Sequence, residues 1–172
     1  TAFIIGCGGW WWHVIKIGVI ALFTGNYAQY GVAVNAFKKM VSQDKVNVVI
    51  GEVVSATSQA ISGLAQQAKV PLISATATSL DVTKGKDFVF RTTFTDPYQG
   101  TATAKYAKSK GIKSIAILTN SSNDYSVGIA NAFKAQAAKE GITITEEKYT
   151  NDDKDFKAIL TKVKGQNPQA IF

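Results

Sequence analysis

Three segments of this 172-residue chain gather small hydroxyl and amide side chains. They are Val54-Ser55-Ala56-Thr57-Ser58-Gln59, Ala75-Thr76-Ala77-Thr78-Ser79 and Thr119-Asn120-Ser121-Ser122-Asn123-Asp124-Tyr125. Hydroxyls beside the free N–H groups of a helix N-terminus offer donors to a small anion such as a carboxylate. For any one loop the simpler role is helix capping. Three such loops on one sheet edge favour a polar ligand site.

Other chemistries lack their residues. A Ser/His or Cys/His nucleophile would have to use His13, the single histidine. No G-x-S-x-G elbow, phosphate-binding G-x-x-x-x-G-K-[ST] loop or G-x-G-x-x-G turn occurs. Asp152-Asp153-Lys154-Asp155 has the charge of a calcium loop without its turn glycine or closing glutamate. It reads instead as a charged turn favoured by a helix dipole. Cys7 and His13, one of each type, make neither an internal disulfide nor a zinc site. No catalytic residue, metal or cofactor is expected.

The hydroxyl loops need a scaffold, and the sequence supplies one. Apolar, β-branched runs at 14–22, 46–50, 70–74, 88–92, 114–119, 142–148 and 170–172 read as strands. Amphipathic stretches at 35–43, 57–68, 97–110, 124–140 and 153–165 read as helices between them. This alternation predicts an α/β fold with a parallel sheet. Asp96-Pro97 opens the third helix as an N-cap followed by proline. Val127, Ala130, Phe133 and Ala137 share one face of the fourth, which stops before Gly141. Ligands of such sheets sit beyond the carboxyl ends of the strands, where the hydroxyl loops fall.

Composition narrows the partners. At 46% hydrophobic and 18% charged, the chain is too apolar for a disordered protein. Its formal charge is +7, yet 18 of the 19 cations are scattered lysines and Arg91 is the only arginine. Nucleic-acid readers lean on clustered arginine, so the charge reads as a solvated surface and no nucleic-acid partner is expected. The first acidic residue is Asp44, so the first 43 residues carry no carboxylate.

The N-terminal stretch, 1–22, is apolar but broken by Gly8, Gly9, His13 and Lys16, so it is not a spanning helix. Ile4-Ile5-Gly6-Cys7 is similar to the lipobox of bacterial lipoproteins, in which the cysteine after a small residue takes the lipid. A buried free cysteine is the alternative. Trp10-Trp11-Trp12 has no counterpart in a polar tether and reads as an apolar contact surface.

Taken in order, the blocks resemble one family. Ile15-Lys16-Ile17-Gly18-Val19-Ile20 leads to Thr24-Gly25-Asn26-Tyr27-Ala28-Gln29-Tyr30-Gly31, then Val48-Val49-Ile50-Gly51 with Ser55. Val70-Pro71-Leu72-Ile73-Ser74 with Ala77-Thr78 follows, then Phe90-Arg91-Thr92 with Asp96 and Gln99-Gly100. The strand Ile115-Ala116-Ile117-Leu118, Asp124-Tyr125 and Asp153-Lys154-Asp155-Phe156 complete the set. Over residues 14–172 this resembles the branched-chain amino-acid-binding (Leu/Ile/Val-binding) proteins. These are type I periplasmic solute-binding proteins of ABC importers, built from two Rossmann-like lobes.

The resemblance implies an N-terminal lipobox-like tether over 1–13, a partial first lobe over 14–95 and a partial second lobe over 96–172. It implies an extracytoplasmic protein, lipid-anchored through Cys7, that captures a small amino acid or related polar ligand for an ABC permease. Ser55, Thr78 and the backbone at Thr76 would hold the ligand carboxylate, and Tyr30 and Tyr125 would flank it from opposite lobes. Between Gly31 and Asn35 a helix, a turn and a strand of the family are missing, and the second lobe is cut at Phe172. A sheet left with an open edge invites intermolecular pairing, so the competing expectation is a self-assembling module that binds no ligand.

Overall fold

A computed structural model describes residues 2–7, 15–21 and 30–172. Trp10–Trp12, His13 and the Thr24–Gln29 part of the family block lie outside the described residues, as do the side chains of Cys7 and Tyr30. The chain divides into two compact units, Thr1–Thr93 and Phe94–Phe172. The boundary falls two residues before the one read from the sequence, because the Phe94 ring packs 6.0 Å from that of Tyr98 in the following helix.

In the first unit, strands β1 (Ala2–Cys7), β2 (Ile15–Ile20), β3 (Val48–Ile50), β4 (Leu72–Ser74) and β5 (Val89–Arg91) lie side by side in chain order. β2 to β5 are parallel, as the alternating pattern requires. β1 runs antiparallel to β2, with Ala2 opposite Ile20 and Cys7 opposite Ile15. Part of the segment read as a tether is therefore a strand. It covers the edge of β2 that would otherwise present unpaired N–H and C=O groups.

Helices α1 (Tyr30–Ser42) and α2 (Ser55–Ala68) complete the unit. α1 begins five residues before the 35–43 stretch read from the sequence. Ala33, Phe37 and Met40, spaced four and three apart, form one buried face that extends the helix back through Val32-Ala33-Val34. With Val49, Ile61, Leu72, Val82 and Val89 they make a single core. Gly51 ends β3 at a φ of +126°, and a side chain there would run into the Ile20 carbonyl. Only glycine lets the chain leave β3 so close to β2.

The second unit holds α3 (Asp96–Ser109), β6 (Ser114–Asn120), α4 (Asp124–Lys139), β7 (Thr143–Tyr149), α5 (Lys157–Gln166) and β8 (Ala170–Ile171). Its parallel sheet is ordered β7-β6-β8. α3 and α4 meet at Gly100, where a Cβ would sit 2.6 Å from the Phe133 nitrogen. Ile115, Ile117, Ala130, Phe133 and Ala137 form the core, closed by Phe172 stacked 4.2 Å from Phe133. α5 starts later than the 153–165 reading because Asp153 is spent on Thr150. Its carboxylate accepts both the Thr150 N–H and hydroxyl, making a turn.

Glu146 ties β7 to two of its neighbours. Glu146 accepts a hydrogen bond from Thr119 of β6 at 2.8 Å and from Lys134 of α4 at 2.8 Å. Partial burial pushes its pKa up, but the hydrogen bonds from Lys134 and Thr119, with the charges of Lys134 and Lys148, outweigh this. The net result lies below the ordinary 4.5. A carboxylate depressed in the folded state stabilises the fold above its unfolded-state pKa and ceases to do so as pH falls through the folded value. Glu146→Gln is therefore expected to lose less stability than the parent as pH is lowered from 4.5. Urea unfolding followed by circular dichroism checks this; parallel acid limbs would contradict it.

Candidate functional site

The first two hydroxyl loops leave the carboxyl ends of β3 and β4 and are tied together. Ser74, fully buried at the end of β4, donates to the Glu52 carbonyl at 2.6 Å and accepts the Ala77 N–H at 3.2 Å. Thr76 is exposed and donates its hydroxyl to the Val53 carbonyl at 2.6 Å. Ser55, buried at the start of α2, accepts the Ser79 N–H at 3.2 Å. Gln59 reaches Ser79 Oγ at 3.1 Å. These bonds place Thr78 one residue from a direct contact with the first turn of α2.

What these ties leave over is informative. Val54 precedes α2 without a side-chain cap, and the first main-chain bond of the helix is Ser58 N–H to Val54 at 2.9 Å. The N–H groups of Ser55, Ala56 and Thr57 therefore have no hydrogen-bond partner among the described residues. Thr78 is buried, and neither its hydroxyl nor its N–H has such a partner either. No acidic residue stands in the first turn of α2. These unspent donors lie at and beside the positive end of a helix dipole.

Three residues of this region were not singled out in the sequence. Glu52 is fully buried, with Oε2 accepting Thr57 Oγ1 at 2.9 Å and its carbonyl accepting Ser58 Oγ at 3.1 Å. It is the sole carboxylate between Asp44 and Asp81, a signal that could have flagged it. Ser74 and Ser79 looked like ordinary loop hydroxyls and carry most of the cross-links.

The third loop behaves differently. Thr119 is spent on Glu146, and Ser121 donates to the Tyr149 carbonyl at 2.9 Å. Asn123 caps α4 by accepting the Ser126 N–H at 3.1 Å, and the Asn120 N–H donates to Ser126 Oγ at 2.9 Å. Here the capping role wins. Tyr125, in the first turn of α4, is 42% exposed and donates its hydroxyl to Gln99 Oε1 at 3.3 Å. Gln99 Nε2 is buried without a partner among the described residues. Tyr30 opens α1, but its side chain lies outside the described residues. No cluster of metal-ligating side chains occurs among the described residues, and no described helix is long and apolar enough to cross a membrane.

Residues 29–172 match the periplasmic binding protein family, and the chain belongs to it. The Leu/Ile/Val-binding protein BraC3 of Rhizobium johnstonii is 34% identical over 142 residues, which are 81% of this chain and 38% of that protein. The solved leucine binding protein LivK of Thermotoga maritima MSB8 superposes with a TM-score of 0.79 at 37% identity, covering 84% of this chain and 41% of that one. A solute binding protein of an ABC transporter from Rhodopseudomonas palustris BisB5, solved with 3,4-dihydroxybenzoic acid, gives 0.76 at 29% identity, covering 87% and 41%. The chain thus spans about two fifths of the length of the relatives it matches.

Ser74→Ala leaves the buried Ala77 N–H without a partner among the described residues, while the Glu52 carbonyl keeps Ser58 Oγ. A cost of about 1–3 kcal/mol is expected in urea unfolding of the chain. An unchanged unfolding midpoint would show that the two loops are not held by this hydroxyl.

Proposed function

We propose that this chain belongs to an extracytoplasmic solute-binding protein that captures a small amino acid or a related polar carboxylate for an ABC importer. The observation that carries the reading is the set of unspent donors at Thr78 and the first turn of α2. The relatives' ligands agree with it in chemistry: leucine and 3,4-dihydroxybenzoic acid both carry a carboxylate. In this reading Ser55, Thr78 and the main chain at Thr76 hold that group, while Tyr30 and Tyr125 flank the rest of the ligand. Closure of two lobes on the ligand stabilises one state, and the permease reads that state. Family membership favours ligand capture over a self-assembling module.

Calorimetry with leucine, isoleucine, valine and 3,4-dihydroxybenzoate tests the site. Ser55→Ala and Thr78→Ala are each expected to weaken the best ligand by about 1–3 kcal/mol, the cost of leaving a desolvated charged partner unsatisfied. Unchanged affinity in both variants would remove the assignment.

The reading includes a lipid anchor at Cys7, supported by Ile4-Ile5-Gly6-Cys7. Cleavage before that cysteine would remove Ala2–Gly6, all of β1 but its last residue. The anchored protein and the β1–β2 pairing therefore exclude each other in one mature chain. Mass spectrometry of protein from its native membrane is expected to show a diacylglyceryl Cys7 with no residues before it. An unmodified Cys7 still joined to Gly6 would contradict the anchor.

A further inference from the structure

The only arginine of the chain stands on β5, the last strand of its sheet, against the loop that carries Thr78. Arg91 ends β5, half-buried. Its Nη1 donates to the Ala77 carbonyl at 3.1 Å and to the Ser79 carbonyl at 2.7 Å. Its Nη2 donates to the Leu80 carbonyl at 3.3 Å and to Thr83 Oγ1. A guanidinium is a planar fork with five donors, whereas a lysine ammonium is a point charge on a flexible stem. Among 19 cations, this is the one position where that fork is used.

The consequence for Thr78 follows from peptide geometry. In a trans peptide the C=O and the next N–H point in opposite directions. The Ala77–Thr78 peptide is trans, so turning the Ala77 carbonyl toward Arg91 turns the Thr78 N–H away from it. The following peptide is fixed from the other side, because the Ser79 N–H is held by Ser55 Oγ. Both peptide planes flanking Thr78 are thus pinned, one by Arg91 and one by Ser55. We infer that Arg91 is a positioning residue that aims the Thr78 N–H and hydroxyl at the ligand carboxylate. This rests on the ligand reading proposed above.

Three variants of the full 172-residue chain test it. Arg91→Lys keeps the charge and loses the fork; Arg91→Gln keeps planar donors and loses the charge; Thr83→Val removes one acceptor. Amide hydrogen exchange without ligand, and calorimetry with L-leucine, are the two readouts. Arg91→Lys is expected to speed exchange about tenfold over residues 77–83 only, and to weaken leucine about tenfold, the scale of a lost charged hydrogen bond. Thr83→Val is expected to move both in the same direction by less. In a Thr78→Ala background the Arg91→Lys loss of affinity is expected to shrink.

Wild-type exchange in Arg91→Lys would overturn the inference, as would a loosened loop with unchanged affinity. Faster exchange throughout the β2–β5 sheet in all three variants would mark a general packing role and would also overturn it. An undiminished affinity loss in the Thr78→Ala background would overturn the route through Thr78. Failure of wild-type chain to bind leucine would count against leucine as ligand, and the exchange pattern alone would then decide whether Arg91 pins the loop.

Discussion

The Ser74 hydroxyl, wholly buried at the end of β4, donates to the Glu52 carbonyl while accepting the Ala77 N–H, and through it two loops keep a fixed relation. A buried polar group without a partner costs about 1–3 kcal/mol, so a protein that buries this many hydroxyls must pair nearly all of them. Ser74 and Thr76 donate to the main-chain carbonyls of Glu52 and Val53, and Ser55 accepts the Ser79 N–H. Donors remain at Thr78 and the first turn of α2, and the proposed site rests on that remainder. Gly51 belongs to the same constraint, since no side chain fits between the end of β3 and Ile20.

The second unit meets the same constraint and reaches a different result. Its hydroxyls and amides close on one another, with Asn123 capping α4 and Thr119 joined to Glu146. Little polar capacity is left over except at Tyr125 and Gln99, which share one hydrogen bond. The close meeting of α3 and α4 at Gly100 falls on Ile129–Phe133, the middle of α4.

Much of the fold was legible because its signals are local. Apolar runs, helix periodicity, Pro97 and Gly141 located β2 to β8 and all five helices, although Thr95, not Asp96, is the N-cap of α3. The misses were tertiary. α1 starts at Tyr30 because Ala33 packs with Phe37 and Met40, a contact that the short run Val32-Ala33-Val34 does not announce. β1 exists because an edge needed pairing, and no propensity of residues 2–7 could say with which strand. At the site, the sequence identified hydroxyl-rich loops but not which hydroxyls are spent. That depends on partners more than 20 residues away, such as Glu52 for Ser74 and Ser55 for Ser79.

The central claim is that the ligand carboxylate meets the Thr78 N–H and the first N–H groups of α2. The most direct measurement is a titration of 15N-labelled chain with the best ligand of the calorimetric panel, read amide by amide. The account expects the largest shifts at Ser55, Ala56, Thr57 and Thr78. Shifts that leave those four amides in place and fall instead on residues 119–125 would contradict it.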